Sequence, residues 1–183
     1  MKPLDLTLED ATPDNVAPFG ALIGTDCGGG RQQTAFYGDA VDLVETPRFV
    51  SDADTTLAVA RIRPRPNSVR WMERHFKHSQ AFLPLNGQPY AVVLAPPNDR
   101  SLPDLDRVRA LRFPGHCGLL MHVGTWHEFP FSLGSPVDMV VVLRNETNRN
   151  LEAIENGEAV GEDLEKRNIL ARCCVTIRFS AGG

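Results

Sequence analysis

The sequence predicts an all-β fold, a sandwich or jelly-roll barrel with a few short helices, and three observations carry that prediction. The apolar segments are short and rich in β-branched residues. Glycine and proline, 15 and 14 of the 183 residues, cut the chain between them. A length near 180 residues suits one jelly-roll domain spanning 1–183.

In chain order, the N-terminal residues up to Ile23 read as a strand, a short helix or turn beginning near Thr12-Pro13-Asp14, and a second extended piece. Cys27-Gly28-Gly29-Gly30 lacks the strand and helix that a phosphate-binding loop needs, so it reads as a plain loop. Residues 34–50 read as strands broken by turns. Thr55–Ile62 alternates as a strand, with Leu57, Val59, Arg61 and Arg63 on one face. Arg61 and Arg63 are then either a solvated edge or a guanidinium clamp for a carboxylate.

Val69–His75 reads as a short polar strand or turn. Ala81–Leu85 and Tyr90–Leu94 flank Asn86-Gly87, which predicts a hairpin. The proline-rich run 95–105 is a loop. Val108–Phe113, Gly118–Val123 and Trp126–Phe131 are strands. Val137–Leu143 is nearly all apolar, which predicts a central strand. Residues 145–168 turn acidic and polar and read as an insertion or arm, with 152–158 and 162–169 either short helices or part of a mobile arm. Leu170–Phe179 is a last strand.

The composition is 42% hydrophobic and 23% charged, with a net charge of −4. No basic field suggests nucleic acid as a partner. No run of about 18 apolar residues suggests a membrane span. The four cysteines have no C-x-x-C spacing, and they read as free thiols in a reducing, cytoplasmic compartment.

All five histidines are His75, His78, His116, His122 and His127. Glu73-Arg74-His75 and Gln80 accompany the first group, and Trp126-His127-Glu128 the last. Neutral imidazole with carboxylate or amide oxygen suits divalent transition metals, while a metal-free pocket or polar core remains an alternative. The run through Gln80 to Gly87 and the later His-x-Gly-x-x-His spacing resemble the two half-motifs of cupins, with Gln80 at the usual glutamate position.

Glu73-Arg74-His75 followed by Ser79-Gln80-Ala81-Phe82-Leu83-Pro84 resembles the signature of the ureidoglycolate lyase family, with further agreement at His122, Trp126-His127 and Pro130. The resemblance covers roughly residues 16–145. It implies a cupin-type double-stranded β-helix and a cytoplasmic homodimer. It also implies an enzyme of allantoin and purine breakdown that splits ureidoglycolate into glyoxylate and urea. His75, Gln80 and His127 become the ligands of a divalent metal, nickel first and manganese or zinc as alternatives. Glu73, His122 and His127 become the acid–base groups. Arg61, Arg74, Gln80, Trp126 and Tyr37 become the substrate-binding set. His78 falls outside the matched positions and is expected to be peripheral.

The chain departs from the family's Arg-Tyr-His run at Phe36-Tyr37-Gly38, which removes an acid-binding arginine. It also has Leu143-Arg144-Asn145 after the central strand, and a longer acidic tail. These departures leave two alternatives open: a paralogous cupin enzyme for a less polar carboxylate or amide, and a non-catalytic small-molecule-binding cupin.

Overall fold

A computed structural model describes residues 2–27, 31–33, 36–145, 147 and 157–181. The chain runs β1 (Lys2–Asp10), α1 (Pro13–Val16), β2 (Gly20–Ile23), β3 (Arg31–Gln33), β4 (Asp42–Val44), β5 (Thr55–Ile62), β6 (Ser68–Val69), β7 (Trp71–His75), β8 (Gln80–Pro84) and β9 (Gly87–Ala95). It continues through β10 (Arg109–Gly115), β11 (Gly118–Met121), β12 (Trp126–His127), β13 (Phe131–Ser132), β14 (Val137–Arg144), β15 (Ala159–Val160), β16 (Leu164–Asn168), α2 (Ile169–Cys173) and β17 (Val175–Ala181). The all-β class holds. Thr12 caps α1, accepting from the Asn15 N–H at 3.3 Å while the Asn15 side chain bonds back to the Thr12 N–H.

The strands form two large sheets that curl around one interior as the halves of a jelly roll. The larger runs β15-β16-β7-β12-β9-β10-β1-β17-β6, with β13 added to β9; the smaller runs β2-β11-β8-β14-β5. Tyr90, Val92 and Leu94 of β9 point between the sheets, toward Phe82, Leu119, Met139 and Val141. The alternate residues Ala91, Val93 and Ala95 point the other way, into a second core with Met72, Trp126, Phe131, Ile169 and Phe179. An uninterrupted apolar run is what a strand covered on both faces needs.

That role belongs to β9. β14 is central in the smaller sheet, as expected, paired with β8 on one edge and β5 on the other, but only one of its faces is buried; Val140 and Val142 on the other face are half-exposed. The smaller sheet has no second layer over its outer side among the described residues.

The Asn86-Gly87 turn does not make a hairpin. β8 pairs with β11 and β14, and β9 pairs with β10, so the chain crosses here from one sheet to the other. Long-range bonds override the local preference. The Asn86 side chain donates to Pro136 O at 3.0 Å and accepts from the Asp138 N–H at 3.2 Å. Gly87 takes a φ of +69°, and a side chain at Gly115 would collide with the Gly87 carbonyl.

Three further expectations change. Residues 170–173 are helical, and Cys174 closes the helix in the left-handed region at φ 56°, so the last strand starts at Val175. Cys27 and Cys117 are paired as a disulfide; only Cys173 and Cys174 remain thiols. Within the acidic segment, 164–168 is a strand and not a helix; the short helix expected at 152–158 falls mostly outside the described residues.

Candidate active site

Strands β16, β7 and β12 lie side by side, with Lys166 opposite Glu73 and His127 opposite Glu73. Directly opposed residues share a face, so Lys166, Glu73 and His127 form one row across three strands on the inner side. The Lys166 Nζ is 3.6 Å from Glu73 Oε2, and Glu73 Oε1 is 3.8 Å from His127 Nε2. Glu73 and His127 are buried, and Lys166 reaches the edge, with its side chain 32% exposed.

His75, two residues along β7, shares this face. Its ring lies 5.4 Å from that of His127 and 4.4 Å from that of His78. Asp163, at the entry to β16, accepts from the Lys77 N–H at 2.9 Å and from the His78 Nδ1 at 3.2 Å, and lies 3.9 Å from His75 Nδ1. Gln80, the first residue of β8, is buried as well.

Burial without partners sets the electrostatics. The His127 Nδ1 lies 3.0 Å from Thr125 O. A carbonyl only accepts, so Nδ1 carries the proton and Nε2 the lone pair. Desolvation, aided by His78 and Lys166, pushes His127 down to about 4, against the pull of Thr125. His75 is pushed well below the usual histidine range, first by burial and then by His127 and His78, with Asp163 and Gln80 working the other way. Burial raises Glu73, and Lys166 opposes that rise. Burial works to raise Asp163 too, but its bonds with His78 and the Lys77 N–H outweigh it and hold the group at about 2.

Both ring nitrogens of His75, His127 Nε2, His78 Nε2 and Gln80 Oε1 are buried without a hydrogen-bond partner. Orphaned polar atoms at such depth are costly unless something binds them. The ligand atoms of Glu73, His75 and His127 lie within 4.8 Å of one another, as do those of His75, His78 and Asp163. This donor set fits a divalent cation. A third group, Cys27, His116 and Cys117, lacks free thiolates because its cysteines are paired.

Of the residues expected at the site, the structure brings together Glu73, His75, Gln80 and His127. It places five others elsewhere. His122 is exposed, with its Nε2 3.2 Å from Ala17 O. Arg61 lies on the outer side of β5 and binds Asp138 through two bonds of 2.7 and 2.8 Å. Arg74 is on the opposite face of β7, bonded to Glu165, Asn98 O and Arg100 O, with its guanidinium 4.4 Å over the Trp126 ring. Trp126 belongs to the second core. Tyr37 is exposed, edge-on to Phe36.

Three residues of the site were not foreseen. His78, expected to be peripheral, is 1% exposed. Asp163 and Lys166 come from the segment read as an arm. The stretch Glu162–Asn168 has only Leu164 as an apolar residue, so no periodicity betrayed a strand; both of its faces meet polar partners.

A family model described as ureidoglycolate lyase matches residues 3–161. The chain belongs to the ureidoglycolate lyase family. Among its relatives, ureidoglycolate lyase of Azotobacter vinelandii is 33% identical over 159 residues, covering 84% of this chain and 93% of that protein. The Stutzerimonas stutzeri relative of the same name is 33% identical over 151 residues, covering 80% and 87%. A relative from Pseudomonas putida is 34% identical over 152 residues, covering 80% and 89%. Among solved structures, Lactobacillus farciminis oxalate decarboxylase in a formate complex gives a TM-score of 0.35 at 15% identity, covering 69% of this chain and 36% of that one. Glu73, His75, Gln80 and His127 lie inside the family-matched residues; Asp163 and Lys166 lie two and five residues beyond them. No described helix is long and apolar enough to cross a membrane.

Proposed function

We propose that this protein is a ureidoglycolate lyase, releasing glyoxylate and urea in the breakdown of allantoin. The observation that carries the reading is the buried cluster of unpartnered polar atoms on His75, Gln80 and His127 beside Glu73, within the family-matched residues.

The substrate is a carbinolamide, with a hydroxyl, a ureido nitrogen and a carboxylate on one carbon. Cleavage removes the hydroxyl proton, forms the aldehyde C=O, and breaks the C–N bond with its electron pair going to nitrogen. The departing nitrogen then takes up a proton. Glu73 can serve both ends: its carboxylate accepts the hydroxyl proton and its carboxylic acid returns it to urea. A carboxyl raised by burial is better matched to this exchange than an ordinary one. His75, Gln80 and His127 would hold the metal, nickel by family resemblance with manganese or zinc as alternatives. When bound, a divalent cation supplies a Lewis acid for the substrate's oxygens. His127 is suited to a ligand's part because its Nδ1–H is anchored on Thr125 O, which aims Nε2 inward.

Phe36, whose presence suggested a less polar substrate, is 86% exposed and supplies no wall to the cluster. We also propose that the chain works as a cytoplasmic homodimer. The apolar outer face of the edge strand β5, with Leu57 and Val59 exposed, is compatible with burial in a dimer.

The test is to incubate purified protein with ureidoglycolate and follow glyoxylate, with and without nickel, manganese or zinc. Glyoxylate release that is lost on chelation supports the reading. No glyoxylate under any of these conditions removes it.

A further inference from the structure

We propose that Lys166, beyond the family-matched residues, binds the substrate's carboxylate, so that the C-terminal strand β16 completes the binding site. This rests on the reading above that the ligand is a small ureido acid.

A carboxylate bound in this cluster needs a cation, and the arginines expected to supply one are engaged elsewhere. Arg61 is held by Asp138 on the outside of the smaller sheet. Arg74 is consumed on the far face of β7 by Glu165 and two carbonyls. Arg65 is committed to Glu128 and to the Phe129 and Pro130 carbonyls.

Lys166 is placed differently. Strand pairing puts it on the inner face opposite Glu73. Its 3.6 Å approach to Glu73 is an ion pair longer than a hydrogen bond, and an ammonium has three donors. Its side chain is 32% exposed, so it spans the distance from the buried cluster to solvent. In the substrate the carboxylate and hydroxyl sit on the same carbon. A carboxylate seated on Lys166 therefore brings the hydroxyl beside Glu73, the group that moves its proton. Lys166 acts by binding and positioning and takes no part in the bond changes.

The experiment compares wild type, Lys166→Met and Lys166→Arg. Steady-state kinetics on ureidoglycolate should show KM raised by about tenfold to a hundredfold in Lys166→Met, the range for a lost charged hydrogen bond, with a smaller change in kcat and partial recovery in Lys166→Arg. Calorimetry then uses oxalurate, which keeps the carboxylate and ureido group but has no cleavable carbinol, and oxaluramide, its uncharged amide. Lys166→Met should weaken oxalurate by a similar factor and leave oxaluramide unchanged, with the melting temperature held. Equal loss for both probes overturns the proposal in favour of a structural role. Unchanged oxalurate affinity, or no oxalurate binding by wild type, overturns it as well. If wild type releases no glyoxylate yet binds oxalurate through Lys166, the catalytic reading fails and the carboxylate site stands.

Discussion

The two faces of the patch formed by β16, β7 and β12 differ by one residue in register and by everything in chemistry. On the outer face, Glu165, Arg74 and Trp126 form a tight stack, with ion-pair contacts of 2.6 and 2.8 Å and the guanidinium 4.4 Å over the indole. On the inner face, Lys166, Glu73 and His127 stand 3.6 and 3.8 Å apart, and His127 Nε2 has no hydrogen-bond partner. The outer row is satisfied and holds the strands together. The inner row carries charge, reaches solvent through Lys166, and leaves a buried imidazole nitrogen without a partner. Alternation along a strand is enough to build a staple and a site from neighbouring residues.

The largest expected effect lies on the inner row. Glu73→Gln keeps the shape and removes the titrating carboxyl. Turnover of ureidoglycolate should fall by roughly a hundredfold to ten-thousandfold, the usual worth of a positioned acid–base group, while the denaturation midpoint holds or rises. A variant that keeps near-normal glyoxylate release would take the proton-moving role away from Glu73.

Arg74→Ala tests the outer row. It leaves Glu165 buried without its cation, and loss of one partner from a buried pair costs about 3–5 kcal/mol. Urea unfolding should show that loss. The Asn98–Arg100 loop bonded to Arg74 should exchange its amides faster. If stability held and KM for ureidoglycolate rose instead, Arg74 would be the carboxylate binder and the division between the faces would collapse.

How much of this was legible in the sequence follows from the same contrast. Glu73, His75, Gln80 and His127 could be read because they sit in short runs with fixed spacing. Thr55–Ile62 was legible to the residue, since its alternation is strict. The Asn86-Gly87 turn misled because local turn chemistry does not reveal which sheet receives the next strand. Arg74 misled because a guanidinium next to a site residue points to the opposite face. Asp163 and Lys166 were invisible: Lys166 joins the cluster through strand pairing with β7 and Asp163 through bonds from the Phe76 and Lys77 N–H groups and from His78, partners some 90 positions away that no local period encodes.

Acid should affect the inner row first. In the metal-free protein, His127 has a folded value of about 4 against 6.5 for the free side chain. Between those values the unfolded chain binds the proton and the folded one does not, so stability falls as pH drops from about 6.5 toward 4. The loss is on the order of 3 kcal/mol from His127 alone, with His75 adding in the same direction. Glu73 has the opposite sign, because its raised value favours the folded state once it is protonated. Unfolding midpoints at several pH values would measure the balance. A flat profile across this window would mean that the imidazoles are not buried as neutral groups. Bound metal should shift the loss to lower pH, since it competes with protons for the same lone pairs.

The smallest effect is expected at Arg61, and its smallness is informative. Arg61 and Asp138 form a well-aligned bidentate pair, but the arginine side chain is 61% exposed and water screens the attraction. Arg61→Ala should leave the melting temperature and the KM for ureidoglycolate both within error of wild type, the KM in direct contrast to that of Lys166→Met. Good geometry at a solvated edge contributes little; a looser pair at the mouth of a buried cluster contributes much, because there a ligand's charge has little other compensation. A raised KM in Arg61→Ala would invert that ranking. It would show that substrate is held from the smaller sheet, and the carboxylate site would then have to be sought on β5.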